Sequence, residues 1–255
     1  MQIKILGCSG GIGGELRTTS MLVDNDILID AGTGVGDLSM DELLAIEHIF
    51  ITHSHLDHIV FIPFLLDTVM GLRAEPVTVH ASAETIRILR THIFNWKIWP
   101  DFNTIPDATQ PFLQYDEVKL GETRTIKGRK ITSLPANHVV PAVGYQVDSG
   151  AASLVFTGDT TSCDALWQAV NKISNLKYLI IETAYSNSEC ELAKLSKHLC
   201  PSLLAAELGK LTLDNVAVYI THLKPGEGES IMQEIAENHL TLITQALNKH
   251  QVFDL

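Results

Sequence analysis

Short apolar, β-branched runs alternate along the chain with segments whose apolar residues recur at helical spacing, the pattern of a mixed α/β protein. The runs that read as strands are Gln2–Leu6, Met21–Val23, Ile27–Ile29, His48–Ile51, Val77–His80, Lys130–Leu134, Gly144–Val147, Leu154–Thr157, Tyr178–Ile181 and Val216–Ile220. Several are apolar at consecutive positions, so their sheets should be covered on both faces. Helices are predicted after Ser39, whose spacing to Glu42 fits a capping box, and from Ser82 to about Phe94. Two more are predicted from Pro201, a good first-turn residue, and after Ser230, which precedes Gln233 at the capping spacing. Between Asn95 and Gln114 the periodicity lapses, and Trp96, Trp99, Pro100, Pro106 and Pro111 mark a long irregular loop, a lid or contact surface. No Pro/Gly/Ser-rich linker divides the chain, which predicts a single domain over residues 1–255 with the 95–114 segment as an insertion. Strand-rich runs precede helices on both sides of about Gly121, so two similar halves remain an open arrangement.

Composition narrows this picture. With 45% hydrophobic and 19% charged residues over 255 positions, the chain can bury an ample core and is not a disordered segment. Lys and Arg number 18 against 30 Asp and Glu, and 18 − 30 = −12. An acidic balance without a basic run argues against gripping nucleic acid or an anionic membrane. The apolar run Ile59–Leu66 stops at Asp67, well short of the ~20 residues of a membrane helix. Met1–Leu6 reads as a strand and not as an export signal, which sets the expectation of a cytoplasmic protein. Cys8, Cys163, Cys190 and Cys200 have no paired CxxC spacing, so the expectation is buried or incidental thiols, not a zinc knuckle or disulfide framework.

The eleven histidines matter more. An apolar strand runs directly into Thr52-His53-Ser54-His55-Leu56-Asp57-His58, three histidines and an aspartate within six residues. Clustered polar groups are costly unless something compensates them, and a metal ion does so best. For His48, His80, His92, His239 and His250 the simpler expectation is an imidazole satisfied by a backbone carbonyl. Imidazole and carboxylate suit zinc, iron or manganese, and the lack of a local cysteine argues against a purely structural zinc site.

The segment resembles the HxHxDH signature of the metallo-β-lactamase superfamily. The resemblance implies an αββα four-layer sandwich, two mixed sheets flanked by helices, holding two divalent ions at one edge. Zinc is the first expectation, with manganese or iron accepted by the same ligands. It also implies three more ligands beyond later strands, supplied by His138 in Leu134-Pro-Ala-Asn-His138, Asp159 in Leu154-Val-Phe-Thr-Gly-Asp159, and His222 in Val216-Ala-Val-Tyr-Ile-Thr-His222. One ion would be held by His53, His55 and His138, the other by Asp57, His58 and His222, with Asp159 bridging. Two ions sharing a water make hydroxide available at neutral pH. Asp57 has a second implied role, orienting or deprotonating that nucleophile.

Within the superfamily the chain resembles the class II cyclic-nucleotide phosphodiesterases. The resemblance rests on His55-Leu56-Asp57-His58-Ile59, on the aromatic insertion Asn95-Trp-Lys-Ile-Trp99-Pro-Asp-Phe102, and on Ile181-Glu182-Thr-Ala-Tyr185-Ser-Asn187, Ser196-Lys-His198-Leu-Cys-Pro201 and Thr221-His222-Leu-Lys-Pro225 in succession. The chain departs from the class at Phe61, where a small residue is usual, and continues Ile62-Pro63-Phe64. In such phosphodiesterases a glutamate, here Glu182, pairs with a histidine, here His198, that contacts the phosphate or protonates the leaving oxygen. A carboxylate can fix the tautomer of that imidazole and let it donate a proton near neutral pH. The implied activity is hydrolysis of 3′,5′-cyclic AMP or GMP to the 5′-nucleotide by a metal-bridging hydroxide, with Asp57, His198 and Glu182 as the catalytic groups and a small cyclic nucleotide as partner. Ribonuclease Z-like processing, another hydrolase of this fold, and a non-catalytic cyclic-nucleotide sensor are the alternatives. Gly7–Gly14 lacks the spacing of a nucleotide loop and reads as a turn near the metal crevice. Trp96 and Trp99 are open to three readings: stacking on a purine, packing a homodimer contact, or anchoring their loop.

Overall fold

The structure, a computed structural model, describes residues 1–238 and 242–255. The first sheet is built from β1 (Gln2–Gly7), β2 (Ser20–Val23), β3 (Ile27–Ala31), β4 (His48–Phe50), β5 (Val77–Ala81) and β6 (Leu113–Glu117). The second holds β7 (Thr123–Ile126), β8 (Arg129–Pro135), β9 (Val143–Asp148), β10 (Ser153–Phe156), β11 (Leu176–Glu182), β12 (Ala217–Thr221) and β13 (Thr244–Ala246). The chain then returns β14 (Val252–Asp254) beside β1, giving the orders β14-β1-β2-β3-β4-β5-β6 and β13-β12-β11-β10-β9-β8-β7. The sheets divide near Gly121, as the two-halves arrangement anticipates.

Alternation within each strand decides what the layers bury. In β3, Ile27 and Ile29 point between the sheets with Ile3, Ile5, Phe50, Tyr145, Phe156 and Ile180. Leu28 and Ala31 point outward under α3 (Phe61–Val69), with Ile62, Leu65 and Leu66 of that helix. The second sheet is covered likewise by α5 (Asp164–Val170), α7 (Pro201–Leu208) and α8 (Gly228–Glu237), through Trp167, Leu204, Ile231 and their neighbours. Strands buried on both faces need apolar residues at every position, which is why these runs are legible as continuous. The remaining helices are α1 (Met40–Ala45), α2 (Leu56–Ile59), α4 (Ala83–Ile88) and α6 (Cys190–Ser196). The Ser39 capping box forms as its spacing predicts, and Pro201 opens α7.

Several expectations are corrected. Helix α8 begins at Gly228, two residues before Ser230, whose hydroxyl donates to the Glu227 carbonyl at 2.8 Å instead of capping. The helix after Ser82 is α-helical only to Ile88 and widens into a π-turn over Leu89–Ile93. Cys190 and Cys200 are joined as a disulfide with a Cα separation of 5.5 Å, so not all four cysteines are thiols. A ten-residue separation bridged by a helix and a turn carries no spacing motif. His48 and His80 bond each other at 3.0 Å and His80 bonds Asp116 at 2.8 Å, in place of backbone carbonyls. His92 and His250 are exposed, and His239 lies outside the described residues. Among the described residues no helix is long and apolar enough to cross a membrane.

At the N-terminal ends of β3 and β8 the sheets are tied by charge. Arg129 pairs with the buried Asp26 through both terminal nitrogens and reaches Asp24 at 3.2 Å, while Lys127 bonds Asp26 at 2.9 Å and Glu47 at 2.8 Å. Burial pushes the Asp26 carboxyl up, but hydrogen bonds from Arg129 and Lys127 outweigh it and bring it down to about 2. Arg129→Ala leaves this carboxylate buried beside one partner, and is expected to cost about 3–5 kcal/mol in urea unfolding at pH 7. Because the folded value is depressed, the contribution is present above the ordinary carboxylate range and fades as pH falls from about 4 toward 2. The gap between wild type and variant should therefore narrow across that window.

Candidate metal centre

The C-terminal ends of β3, β4, β8, β10, β11 and β12 open onto one crevice, the place where loops from parallel strands converge. Beyond β4 the chain continues through buried Ile51 and Thr52 into His53, which is fully buried. The Thr52 carbonyl accepts from Val143 N at 3.0 Å and the Ile51 carbonyl accepts from Tyr145 Oη at 2.9 Å, so both sheets hold this loop. His55 then starts the single turn of α2, and the His58 amide donates to its carbonyl at 3.0 Å. That turn presents Asp57 and His58 together. His138 follows β8, Asp159 follows β10, and His222 follows β12 in a left-handed conformation at φ 62°. Gly10, in the glycine-rich turn, packs so closely on His222 that a Cβ there would lie 2.8 Å from its Nδ1.

All seven residues expected at the site converge, as two groups sharing Asp159. His53, His55, His138 and Asp159 form one, and Asp57, His58, Asp159 and His222 form the other, with the ligating atoms of each within 4.8 Å of one another. Asp159 Oδ2 lies 3.7 Å from His53 Nε2, 3.4 Å from His58 Nε2 and 3.2 Å from His222 Nε2. His222 Nε2 also stands 3.2 Å from Asp57, and His138 Nε2 stands 3.2 Å from His55 Nδ1. Two of these nitrogens, His53 Nε2 and His58 Nε2, are buried with no hydrogen-bond partner among the described residues, a costly arrangement that a cation would resolve. Nitrogen and carboxylate donors with no sulfur fit zinc, manganese or iron.

Charge inside the crevice follows from burial and neighbours. Burial pushes the His53 imidazole well down, and His138 down to about 4. Burial also disfavours charge on His222, but the carboxylates of Asp159 and Asp57 outweigh it and raise it to about 9. His58 is held well up by Asp159 and Asp30 against the same burial. Asp159, although buried, is held well below the carboxylate range by His222 and His58. The protons that His58 and His222 hold against these carboxylates stand where a cation would, so metal uptake would release protons.

Supporting contacts orient the rings. Thr52 donates its amide and hydroxyl to Asp30, each at 2.8 Å, and its oxygen accepts from His53 Nδ1 at 3.0 Å. His58 Nδ1 donates to Asp30 at 2.7 Å. His138 Nδ1 donates to the Lys197 carbonyl at 3.0 Å. An Nδ1 donor leaves the Nε2 lone pair free to ligate. Asp30 and Lys197 were not among the residues expected at the site. The sequence signal at Asp30 is slight, an acid that ends the apolar run Ile27-Leu-Ile29, and only the structure shows it fully buried at φ 56°. Lys197, which acts through its backbone, carries none.

Glu182 and His198 meet beside the crevice. Glu182 closes β11, fully buried, and accepts from Thr160 N at 3.1 Å, Leu199 N at 3.2 Å and His198 Nδ1 at 2.7 Å. His198 lies in the turn between α6 and α7, set by Lys197 in a left-handed conformation and by its own amide bond to Ala193 O at 2.8 Å. Its ring centroid is 4.9 Å from that of His138 and 5.0 Å from that of His222, so it stands over both groups. The Cys190–Cys200 disulfide brackets this segment.

A family model described as a beta-lactamase superfamily domain matches residues 25–243. The chain belongs to this superfamily. A probable 3′,5′-cyclic-nucleotide phosphodiesterase of Yersinia pestis is 28% identical, over 92% of this chain and 82% of that protein. A ribonuclease Z of Clostridium beijerinckii is 32% identical over 57% of this chain, a match spanning 48% of the ribonuclease. The unliganded structure of yeast PDE1 superposes with a TM-score of 0.82 at 20% identity, covering 100% of this chain and 99% of that one, a likeness of fold. The resemblance read from the motifs is borne out, and the two mixed sheets flanked by helices are the metallo-β-lactamase sandwich. The chain is a metallo-β-lactamase-fold hydrolase with His/Asp clusters able to bind metal ions.

In this hydrolase Trp99 anchors its loop, packing edge-on against Phe64 at 5.3 Å, whereas Trp96 and Ile98 face outward. The irregular stretch ends one residue before Leu113, where β6 begins.

Proposed function

We propose that the chain is a dinuclear metal-dependent phosphodiesterase that opens 3′,5′-cyclic nucleotides to 5′-nucleotides. The observation that carries this is the placement of His198, backed by Glu182, over two donor groups that share Asp159. His53, His55 and His138 would hold one ion and Asp57, His58 and His222 the other, with Asp159 between them and zinc the first expectation. Such ions supply an activated water and neutralise charge on the phosphoryl oxygens. Asp57, 30% exposed and bonded to His222, is the acidic residue of the set that faces the crevice mouth and can orient a nucleophile. Glu182 accepts a hydrogen bond from His198 Nδ1, and among the described residues no hydrogen-bond partner holds the opposite nitrogen, so that nitrogen, when it carries a proton, can give it to the departing 3′ oxygen. A small, singly charged diester suits a chain of net charge −12 better than a long polyanion.

Ribonuclease Z-like processing is the second reading, favoured by the 32% identity to a ribonuclease Z. A screen of metal-loaded protein over cAMP, cGMP, 2′,3′-cyclic nucleotides, bis(p-nitrophenyl) phosphate and precursor tRNA separates the two. The 3′,5′-cyclic nucleotides should lead in kcat/KM, and a lead for tRNA would sink the proposal. Asp30→Ala, which frees His58 Nδ1, is expected to weaken metal binding about 10–100-fold in competition with a chelator.

A further inference from the structure

Beside the metal centre lies a cavity of about 420 Å³ that none of the proposed chemistry uses. Ile12, Gly14 and Leu16 form one wall, Thr33 and Gly36 another, and the Phe61 ring a third. Phe61 is four residues beyond Asp57 on a run that stays helical through Val60, so it shares a helix face with Asp57 one turn on. The opposite wall is fixed to the same centre. Thr18 and Thr33 exchange amide-to-hydroxyl bonds at 2.8 Å each, and Gly32 packs directly on the Asp57 carbonyl. Phe61 in the cavity wall therefore lies one helical turn from Asp57.

Ile12 is 69% exposed and the Phe61 ring is half-buried, apolar surface that pays to be covered. The one cation in the wall, Arg17, is tied to the protein through two of its three nitrogens: Nε bonds Asp37 at 3.1 Å, and Nη1 bonds the carbonyls of Gly14 and Leu16 at 3.0 and 3.1 Å. Asp37 is in turn paired with Lys249 at 2.6 Å. The cavity offers an aromatic side chain and apolar surface, and its charged lining residues, Arg17 and Asp37, are paired with each other.

We propose that this cavity is the nucleobase subsite and that Phe61 is its stacking residue. The inference rests on the cyclic-nucleotide reading and extends it: the base is held by its flat face, so adenine and guanine are accepted alike, within about tenfold in KM. The test uses the metal-loaded full chain with cAMP, cGMP and the base-free 3′,5′-cyclic phosphate of methyl riboside. Phe61→Ala, and Phe61→Leu, which keeps apolar bulk but no ring, should each raise the ratio of KM for cAMP to KM for the base-free diester about tenfold, the scale of one lost stack. Phe61→Trp should hold that ratio within about threefold. Equal shifts on both diesters, or a leucine variant that behaves as wild type, would overturn the subsite while leaving the phosphodiesterase reading intact. Turnover of neither diester by the wild-type chain would remove both.

Discussion

Asp159→Ala should abolish phosphodiester hydrolysis, lowering kcat by on the order of 10³-fold or more, because the ions that would bring a water's pKa down toward neutrality depend on Asp159 to stay placed. Asp159 is the one residue common to both donor groups, and His53, His58 and His222 all lie within 3.7 Å of its Oδ2. Metal content measured on the same sample should fall with activity. The variant removes a buried carboxylate and leaves four histidines of the crevice buried, so thermal unfolding with and without added zinc separates lost ligation from lost fold. A folded Asp159→Ala protein that keeps two ions and its rate would remove the bridging role.

His198→Ala is the second large effect, with an expected loss of about 10²–10⁴ in kcat on a 3′,5′-cyclic nucleotide. An alkoxide needs a proton as it departs, whereas p-nitrophenolate leaves unaided. The loss should therefore be much smaller on bis(p-nitrophenyl) phosphate, and the ratio of the two losses reports proton donation specifically. His198→Asn, which keeps some polarity without the acid, should behave like alanine on the alkoxide substrate. Glu182→Gln preserves packing and one acceptor for His198 Nδ1, and should fall between wild type and His198→Ala. Equal losses on both substrates would assign His198 to phosphate binding in place of acid catalysis.

What the sequence shows of this fold follows where burial is double-sided. The ten strands read from apolar runs lie at or near the sheet interiors, while the four it hides, Leu113–Glu117, Thr123–Ile126, Thr244–Ala246 and Val252–Asp254, are the edges of the two sheets. Edge strands are half-exposed and carry polar residues such as Gln114, Arg124 and Gln245, which dilute the period. Helix α3 is masked for a related reason, since Pro63 falls in its first turn, where a missing amide costs nothing.

The site divides the same way. Once the resemblance to the superfamily implies three further ligands past later strands, His138, Asp159 and His222 can be picked out by type and position although each is alone in its segment. Asp30 is harder to see because a single acid after a strand is common, and its meaning comes from the 2.7 Å contact with His58 across 28 residues. The Lys197 carbonyl and the Cys190–Cys200 pair are invisible in one dimension, since both depend on how the α6 turn closes.

The most direct test is product analysis. Zinc- or manganese-loaded protein is incubated with cAMP and cGMP, and nucleotides are resolved by chromatography alongside an Asp159→Ala control. The expected products are 5′-AMP and 5′-GMP, without the 3′-isomers, at rates on the order of 10³-fold or more above that control. Metal-loaded, folded protein that releases no 5′-nucleotide above the control would contradict it.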